Sequence, residues 1–334
     1  MRRFLLAALI APLIAHAQPA AEPAPAPPPA PQPYGQRPQV QAFIADLVQR
    51  HGFAEQELQA LFAKVQPVDG VMQLMVPAER PPWEQYRAMF VNEARIEGGL
   101  AFWKAHRRSL ARAQREYGVP AQYIVAIIGV ETYYGKNMGR WRVIDALSTL
   151  AFDYPARSAF FKGELEQYLL LAREEGLDVF ALRGSFAGAI GIPQFMPGSL
   201  RRYGVDFDKN GTIDLRGSPA DAIGSVGNFL KNHGWRKGEA VIYRAKVKRE
   251  EGLKYVDGSV TPKVPLKELL SAGIELHPKP RSTDALGVLV ALGDEHRVGL
   301  NNFWVITRYN RSAFYATVVA DLGAALAARQ RAGK

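Results

Sequence analysis

Apolar residues recur every three or four positions through most of the chain, and this spacing predicts a mainly helical protein. Pro120 and Pro219 each stand at a first helical position, where the missing N–H of proline does no harm. Ser218 and Asp221 have the spacing of a capping box in front of one of these helices. The predicted helical segments lie at 41–50, 55–64, within 86–117, and at 120–135, 158–175, 219–234 and 312–331.

The pattern changes between 240 and 290, where helical spacing gives way to short runs of β-forming residues separated by Gly and Pro. These runs lie at 241–243, 254–256 and 288–290. They predict a small β-rich lobe beside the helical body. The fold class that follows is α+β and mainly α.

The first residues have the pattern of an export signal. Arg2 and Arg3 precede an apolar run at 4–14, which is too short to span a bilayer. Ala15-His16-Ala17 then has the form of a cleavage site. Residues 1–17 are therefore predicted to be a signal peptide, removed on export to the periplasm.

A proline-rich segment follows at 18–38, and its nine prolines predict an extended linker with no core of its own. The folded region is expected to occupy 39–334. The chain contains no cysteine, which excludes a lipid anchor on a cysteine as well as disulfide bonds. No apolar run after the signal approaches the length of a membrane-spanning helix.

The net charge of +10 falls to +8 when Arg2 and Arg3 leave with the signal peptide, which contains no acidic residue. A positive surface attracts polyanions. Because the protein is predicted to be exported, we expect an anionic envelope polymer such as peptidoglycan rather than nucleic acid. The charge is equally compatible with a role in solubility alone.

Glu131 is the candidate catalytic residue. Ile124, Ile127 and Ile128 define an inward helical stripe, and Glu131 falls on the same face. Burial raises the pKa of a carboxyl group and keeps a proton available near neutral pH, as the general acid of glycosidic cleavage requires. The alternative is a buried glutamate held by an arginine in a structural ion pair.

A second candidate segment at 184–197 combines glycines, a serine, a glutamine and two phenylalanines. Small residues allow a ligand to approach the backbone closely, and amides and rings can contact a sugar. The alternative is a glycine-rich turn packed on the core.

The segment 206–214 matches the first nine places of an EF-hand loop, with oxygen-bearing side chains at Asp206, Asp208 and Asn210 and a carbonyl ligand expected from Thr212. The twelfth place is Gly217 instead of glutamate. Hard oxygen ligands favour Ca²⁺, which we expect in a structural role. The alternative is an Asp/Asn turn without a metal.

Three segments together resemble the B-type lytic murein transglycosylases, in the soluble, non-lipidated form. These segments are Glu131-Thr-Tyr-Tyr-Gly, residues 184–197 and residues 307–312 (Thr-Arg-Tyr-Asn-Arg-Ser). The resemblance implies a lysozyme-like core at about 118–236, with the EF-hand-like loop at 206–221. It also implies a helical lobe at about 39–117, joined by the C-terminal helix, and a small β-containing lobe at about 240–290. The implied reaction cleaves the MurNAc–GlcNAc β-1,4 bond and leaves a 1,6-anhydro-MurNAc end.

The resemblance also implies roles for individual residues. Glu131 matches the single acid/base, Ser185 the residue that holds its carboxylate, and Asp221 a late Ca²⁺ ligand. Phe229 stands where family members can carry tyrosine, and Arg157 is a single basic residue where the family can carry two. The residues that match the lining of the glycan cleft are Gln194, Phe195, Met196, Tyr309, Asn310, Tyr315 and Tyr86.

Two other functions remain open from the sequence. A hydrolytic muramidase would need a second carboxylate, for which Asp145 and Asp153 are the nearby candidates. Asp145 has the position of a helix cap and Asp153 that of a turn residue. A non-catalytic peptidoglycan-binding protein would suit the linker and the charge, but it gives no reason for a carboxyl on the apolar face of a helix.

Overall fold

The computed structural model describes residues 32–76 and 79–332. The predicted signal peptide and most of the proline-rich linker therefore lie outside the described residues. The end of the linker is already packed, since a 3-10 turn at Tyr34–Gln36 leaves the Tyr34 ring 1% exposed. The folded part begins there, before the predicted start at Gln39.

The described residues form fourteen α-helices. The first seven are α1 (Pro38–His51), α2 (Glu55–Phe62), α3 (Val71–Met75), α4 (Trp83–Phe90), α5 (Glu93–Ala105), α6 (Arg107–Tyr117) and α7 (Ala121–Thr132). The others are α8 (Val143–Asp153), α9 (Ser158–Glu174), α10 (Pro197–Tyr203), α11 (Pro219–Asn232), α12 (Leu266–Ser271), α13 (Asn301–Thr307) and α14 (Ala313–Ala332). Every helical segment predicted from the apolar spacing is present, whereas α3, α8, α10, α12 and α13 were not predicted.

Helix α7 is the centre of the large core. Ile124, Ile127 and Ile128 are all fully buried, and other helices surround α7 because it is apolar on nearly every side. It ends at Thr132, earlier than the predicted Gly135. The backbone then turns into the left-handed region, with φ of 51° at Tyr133.

The start of α11 follows the prediction in part. The Ser218 hydroxyl accepts a hydrogen bond from the Asp221 N–H at 3.2 Å, so Ser218 is the N-cap. Asp221 is fully buried and does not complete a capping box. Its carboxylate instead accepts backbone N–H groups of the preceding loop, from Phe207 at 2.7 Å and Asp214 at 2.9 Å.

The described strands form two sheets. β1 (Trp141–Arg142) pairs with β2 (Arg183–Gly184). The second sheet is antiparallel and has the order β4-β6-β7-β3-β5. Its strands are β3 (Ile242–Val247), β4 (Val264–Pro265), β5 (Ile274–His277), β6 (Leu286–Leu292) and β7 (Glu295–Gly299).

The larger sheet carries a small core of its own. Leu276, Leu289 and Val298 on one face pack with Leu266 and Leu269 of α12. Two details of the predicted β-rich lobe are wrong. The run at 254–256 belongs to no strand, because a 3-10 helix covers Glu250–Tyr255. The sheet also continues past 290 through β7.

The opposite face of β6 and β7 is joined to the helical body. Leu292 is fully buried with Trp83 of α4 and Val318 of α14. The predicted class, α+β and mainly α, is confirmed. In the part of the chain that the structure describes, no helix is both long and apolar enough to cross a membrane.

Candidate active site

Glu131 occupies the last turn of α7, at the end of the apolar face of the helix. Its side chain is half-buried. Burial raises the pKa of the carboxyl group from its ordinary value of 4.5 to about 7, although a hydrogen bond from Tyr315 acts in the opposite direction. Within the described residues no Lys, Arg or His forms an ion pair with Glu131, which disfavours the structural ion pair. The group can therefore hold a proton near neutral pH.

Tyr315 and Tyr309 flank this carboxyl group. The Tyr315 hydroxyl donates a hydrogen bond to Glu131 Oε1 at 2.5 Å. The Tyr309 ring stacks on the Tyr315 ring with centroids 6.4 Å apart, and its hydroxyl donates to the Pro193 carbonyl at 2.6 Å. Burial is the larger cause that raises the pKa of both phenols well above 10, and the charge of Glu131 adds to it. Both phenols therefore stay protonated and can donate hydrogen bonds.

Tyr86, on α4, is the third tyrosine near Glu131. Its ring contacts those of Trp83, Phe90 and Phe314, with centroids 5.2–6.5 Å apart. Burial raises the pKa of Tyr86, and the charge of Glu131 adds to the effect, which places the phenol within electrostatic range of the carboxyl group. Three predicted cleft tyrosines thus surround Glu131.

Ser185 is placed differently from the prediction. Its hydroxyl oxygen accepts hydrogen bonds from the Ala187 N–H at 3.2 Å and the Ala189 N–H at 3.0 Å, which shape the glycine-rich turn. Among the described residues no hydrogen bond joins Ser185 to Glu131. The hydroxyl that does hold the carboxylate belongs to Tyr315.

The predicted cleft residues that follow Ser185 fall into two groups, residues that are at least partly exposed and one residue that is buried. Gln194 has a φ of 51° and its amide donates to the Gly191 carbonyl at 2.8 Å. Met196 is half-buried and Asn310 is exposed, as cleft positions require. The Phe195 ring is only 1% exposed, so the prediction that it lines the cleft is wrong.

Phe195 instead supports the cleft floor from below. Its ring contacts the rings of Tyr309 and Phe229 at centroid distances of 5.7 and 5.6 Å. Phe229, where the family can carry tyrosine, is 5% exposed and also contacts Tyr309, at 4.8 Å. Both phenylalanines therefore fix the position of the Tyr309 ring.

The glycines of 184–197 pack against protein instead of leaving room for a ligand. A Cβ at Gly188 would lie 2.5 Å from the Leu147 side chain, and one at Gly191 would lie 2.4 Å from the Leu215 carbonyl. Both residues also have positive φ, near 83° and 73°. For these glycines the turn packed on the core is the correct interpretation.

The two carboxylates considered for a hydrolase are engaged elsewhere. Asp145 lies inside α8 and not at its cap, where it pairs with Arg142 at 2.5 Å and accepts the Gln66 N–H at 3.1 Å. Asp153, the last residue of α8, accepts the Tyr34 hydroxyl at 2.5 Å and pairs with Arg37 at 2.6 Å. These contacts attach the N-terminal segments to the core.

The loop at 206–221 brings three carboxylates together. Oxygens of Asp206, Asp208 and Asp221 lie within 4.8 Å of one another, although they come from both ends of the loop. Lys209 has a φ of 64° and Gly211 a φ of 93°, which give the loop its tight turn. The Gly211 N–H donates to Asp206 at 2.8 Å and holds the pKa of that carboxyl below its usual range. The donor set consists of hard oxygens, which suits Ca²⁺.

Two residues near the cleft were missed from the sequence. The Trp83 indole N–H donates to Glu295 of β7 at 2.8 Å and joins α4 to the sheet. Arg95 donates to the Gly129 carbonyl in the last turn of α7, under the Tyr133 ring. The spacing of Trp83, Tyr86 and Phe90 is a helical stripe that could have revealed the first, but no local pattern marks Arg95.

A mainly helical body that places one protonatable carboxyl among three tyrosines is typical of a lysozyme-like, glycan-cleaving class of protein. Residues 35–324 match the Transglycosylase SLT domain family, and the chain belongs to this family. Membrane-bound lytic murein transglycosylase B of Escherichia coli is 41% identical over 308 residues, which cover 88% of this chain and 84% of that protein. The predicted family and enzyme class are confirmed.

Solved structures agree with this assignment. Soluble lytic transglycosylase SltB1 of Pseudomonas aeruginosa is 46% identical, with a TM-score of 0.84 over 88% of this chain and 100% of that one. Escherichia coli SLT35 in complex with calcium is 40% identical, with a TM-score of 0.80 over 89% and 95%. Pseudomonas aeruginosa SltB3 in complex with NAG-anhNAM-pentapeptide is 29% identical, with a TM-score of 0.78 over 86% and 79%.

Proposed function

We propose that this protein is a peptidoglycan lytic transglycosylase with Glu131 as its single acid/base. It cleaves the MurNAc–GlcNAc β-1,4 bond and leaves a 1,6-anhydro-MurNAc end. The observation that carries the proposal is a carboxyl group with a pKa raised to about 7, whose only side-chain hydrogen bond among the described residues comes from a tyrosine. A hydrolase needs a second carboxylate, and both candidates are already paired with arginines, Asp153 with Arg37 and Asp145 with Arg142.

The reaction needs one proton donor that later becomes a proton acceptor. Protonated Glu131 donates to the glycosidic oxygen, and the bond from that oxygen to the anomeric carbon of MurNAc breaks. The carbonyl of the substrate's N-acetyl group stabilises the positive charge on that carbon, in place of a second carboxylate. Ionised Glu131 then takes the proton of the sugar's C6 hydroxyl, whose oxygen bonds to the anomeric carbon. The enzyme returns to its protonated state and no water is consumed.

Tyr315 suits the ionised half of this cycle. Its hydroxyl donates to Glu131 Oε1, and it stays protonated because burial and the adjacent charge raise its pKa. Hydrogen bonds to a charged group are stronger than those to a neutral one. The bond therefore strengthens when Glu131 has given up its proton, while the second oxygen remains available for the substrate.

The cleft around Glu131 suits a glycan chain. The side chains that would contact a sugar strand supply two rings, two amides and a thioether. They are those of Tyr86, Tyr309, Gln194, Asn310 and Met196. Ser185 is proposed as a substrate contact at the glycine-rich turn. SltB3 is described with a NAG-anhNAM-pentapeptide, which supports a peptidoglycan substrate for this relative of it.

Products of digestion in ¹⁸O-water test the proposal directly. Sacculi treated with the purified protein in ¹⁸O-water should yield muropeptides about 20 Da lighter than the labelled hydrolytic products, with no label at the cleaved end. An intramolecular attack competes well with water because its entropy is already lost on binding. Labelled reducing ends as the main product would instead establish a hydrolase. Binding of sacculi without any cleavage would leave only the non-catalytic function.

A structural Ca²⁺ is proposed for the loop at 206–221. The ion would be held by the side chains of Asp206, Asp208, Asn210 and Asp221 and by the carbonyl of Thr212. The convergence of three carboxylates supports this, and SLT35, a relative, is described in complex with calcium. The ion would fix the loop that precedes α11.

Location and domain organisation complete the proposal. The pattern at 1–17 supports export to the periplasm by a cleaved signal peptide. We propose lobes at about 39–117 with the C-terminal helix, at about 118–236 and at about 240–290. The separate apolar cluster of the larger sheet supports the last of these.

A further inference from the structure

The chain leaves α7 through two consecutive tyrosines in the left-handed region, with φ of 51° at Tyr133 and 61° at Tyr134. These tyrosines follow Glu131 closely, with only Thr132 between. A residue other than glycine is strained in this region, and such a conformation persists only where surrounding contacts hold it. The backbone that carries Glu131 therefore depends on groups outside α7.

The first turn of α5 supplies such groups. The Tyr133 hydroxyl donates to the Ala94 carbonyl at 3.2 Å, and the Tyr134 hydroxyl donates to the Arg95 carbonyl at 2.8 Å. The Tyr134 ring fills the space beside Gly129 of α7, where a Cβ would lie 2.6 Å from the Tyr134 hydroxyl oxygen. Both tyrosines are therefore fixed to α5.

The guanidinium group of Arg95 joins the same two helices. It lies between two rings, with its Cζ 4.8 Å from the Tyr133 centroid and 5.1 Å from the Phe90 centroid. Its Nη1 donates to the Gly129 carbonyl in the last turn of α7. A cation is favoured at this end of a helix, because the terminal carbonyl groups carry partial negative charge.

Arg95 has no acidic partner in the described part of the chain. Its Nε is buried without a hydrogen-bond partner, and no carboxylate is among the charges that act on the guanidinium group. Burial lowers the pKa of Arg95, although an arginine stays charged at neutral pH. A half-buried charge without an acidic partner is unfavourable for the fold alone, which points to a role in the site.

We propose that Arg95 is a positioning residue for Glu131. By holding the end of α7 against α5, it keeps the Glu131 carboxyl group at the Tyr315 hydroxyl, 2.5 Å away. The other titratable groups that face Glu131 are the phenols of Tyr86 and Tyr309, and neither is a cation. The inference rests on the proposed function, in which Glu131 is the acid/base. A small displacement of such a group is costly, because the reacting atoms must meet in one geometry.

Arg95→Met tests the proposal, since it removes the charge and the donors but keeps an apolar chain between the rings. On solubilised peptidoglycan strands it should lower kcat roughly tenfold and change KM less than about threefold, because Arg95 acts on Glu131 and not on the glycan. The alkaline limb of the pH profile should move up by roughly 0.5–1 unit, because a displaced Glu131 loses the hydrogen bond that lowers its pKa. Arg95→Lys keeps a cation that can donate to the Gly129 carbonyl and should retain more of the activity.

A double variant and a control assign the effect to the contact between Glu131 and Tyr315. In Tyr315→Phe protein this hydrogen bond is already absent, so Arg95→Met should move the alkaline limb by less than about 0.2 unit there. Arg112→Met is the matched control, because Arg112 also donates to a backbone carbonyl, that of Phe207 at 2.7 Å, and stacks on the Phe207 ring at 3.9 Å. It should leave kcat and the pH profile unchanged.

Calorimetry tests the same contact without turnover. A Glu131 that has lost the Tyr315 hydrogen bond costs the folded state more free energy when it ionises. At pH 8, Glu131→Gln should therefore raise the melting temperature by roughly 1–3 °C more in Arg95→Met protein than in wild-type protein. At pH 4 the two increments should be equal, because Glu131 is protonated in both proteins.

The outcomes separate the two proposals. Arg95→Met that melts lower by the same amount at both pH values, with the alkaline limb in place, would overturn positioning and leave Arg95 a structural residue. A higher KM at unchanged kcat would also overturn it, in favour of a contact with the glycan. Wild-type protein that cleaves nothing would instead overturn the proposed function, while calorimetry would still test Arg95. If Arg95→Met does not fold, Arg95→Lys against Arg95→Gln makes the same comparison, because both can donate and only one is charged.

Discussion

The Tyr315 hydroxyl donates a 2.5 Å hydrogen bond to the Glu131 carboxylate, although 184 residues separate them in the chain. Glu131 lies in the last turn of α7 and Tyr315 in the first turn of α14. The packing of these two helices therefore determines the chemistry of the site. Burial makes Glu131 an acid near neutral pH, and Tyr315 limits how far its pKa rises.

Replacing Tyr315 by phenylalanine should lower kcat by roughly tenfold, because ionised Glu131 loses a donor. The pKa of Glu131 should also rise, since the lost hydrogen bond lowers it in the wild type. The alkaline limb of the pH profile should therefore move to higher pH, as measured by muropeptide release between pH 5 and 9.

Tyr168→Phe is a matched control, because this tyrosine is also buried and its hydroxyl donates to the Val179 carbonyl, at 2.8 Å. It should leave the pH profile unchanged. If Tyr315→Phe left the alkaline limb in place while lowering activity, Tyr315 would act on the substrate and not through Glu131.

Glu131→Gln should abolish turnover, since the amide has no acidic proton and general acid catalysis is worth about 10²–10⁴-fold. It should also change stability in a pH-dependent way. A pKa raised from 4.5 to about 7 means that ionisation of Glu131 costs the folded state free energy. This cost is absent below pH 4.5, grows up to about pH 7, and is complete above it.

The Glu131→Gln protein should therefore melt roughly 2–5 °C above the wild type at pH 8, and at the same temperature at pH 4. Differential scanning calorimetry at both pH values measures this difference. A constant difference across the range would mean that Glu131 has an ordinary pKa. Retained turnover would exclude Glu131 as the acid.

The placement of Glu131 and the convergence of carboxylates in the loop at 206–221 could be predicted from the sequence because both depend on local spacing. The periodicity of one helix puts Glu131 on the face of Ile124 and Ile128, and consecutive residues supply most of the loop's oxygens. The partner of Glu131 could not be deduced in this way. It depends on how α14 packs on α7, and Ser185, which lies in a more prominent motif, makes turn hydrogen bonds instead.

The same distinction explains the errors in the fold. Lys254-Tyr255-Val256 has β-forming residues but no neighbouring strand to pair with, and it folds as the end of a 3-10 helix. Phe195 lies in a segment of cleft residues, yet its apolar ring packs beneath Tyr309. Short apolar runs do not reveal which elements will cover them.

Arg297 links the small sheet to the helical body, and its loss should be costly. It is 4% exposed and contacts Glu295 through its Nε at 2.6 Å and Asp321 of α14 at 3.6 Å. Glu295 in turn accepts the Trp83 indole N–H. Arg297→Ala removes this partner from Glu295, which is 36% exposed, and from Asp321, which keeps Arg87 at 2.6 Å, so we expect a cost of about 1–3 kcal/mol.

Urea unfolding measures the effect, with Arg329→Ala as the control. Arg329 pairs with Glu93 at 2.9 Å, but both side chains are more than half exposed. Such a pair is worth less than about 1 kcal/mol. Equal changes in the free energy of unfolding for the two variants would show that the Arg297 network contributes no more than a surface ion pair.

Calcium should raise the melting temperature of the protein, because an ion that binds only the folded state stabilises it by mass action. Millimolar Ca²⁺ at 100 times its Kd would contribute about 2.7 kcal/mol. Asp206→Ala removes one of the three converging carboxylates and should abolish the response, whereas Asp69→Ala removes an exposed carboxylate elsewhere and should retain it. Thermal scans of all three proteins with Ca²⁺ and with a chelator measure this directly.

Because the site is proposed to be structural, chelation should lower the melting temperature more than the initial rate at 25 °C. A wild-type melting temperature that does not respond to Ca²⁺, with no heat of binding in calorimetry, would show that Asp206, Asp208 and Asp221 stabilise the turn without an ion.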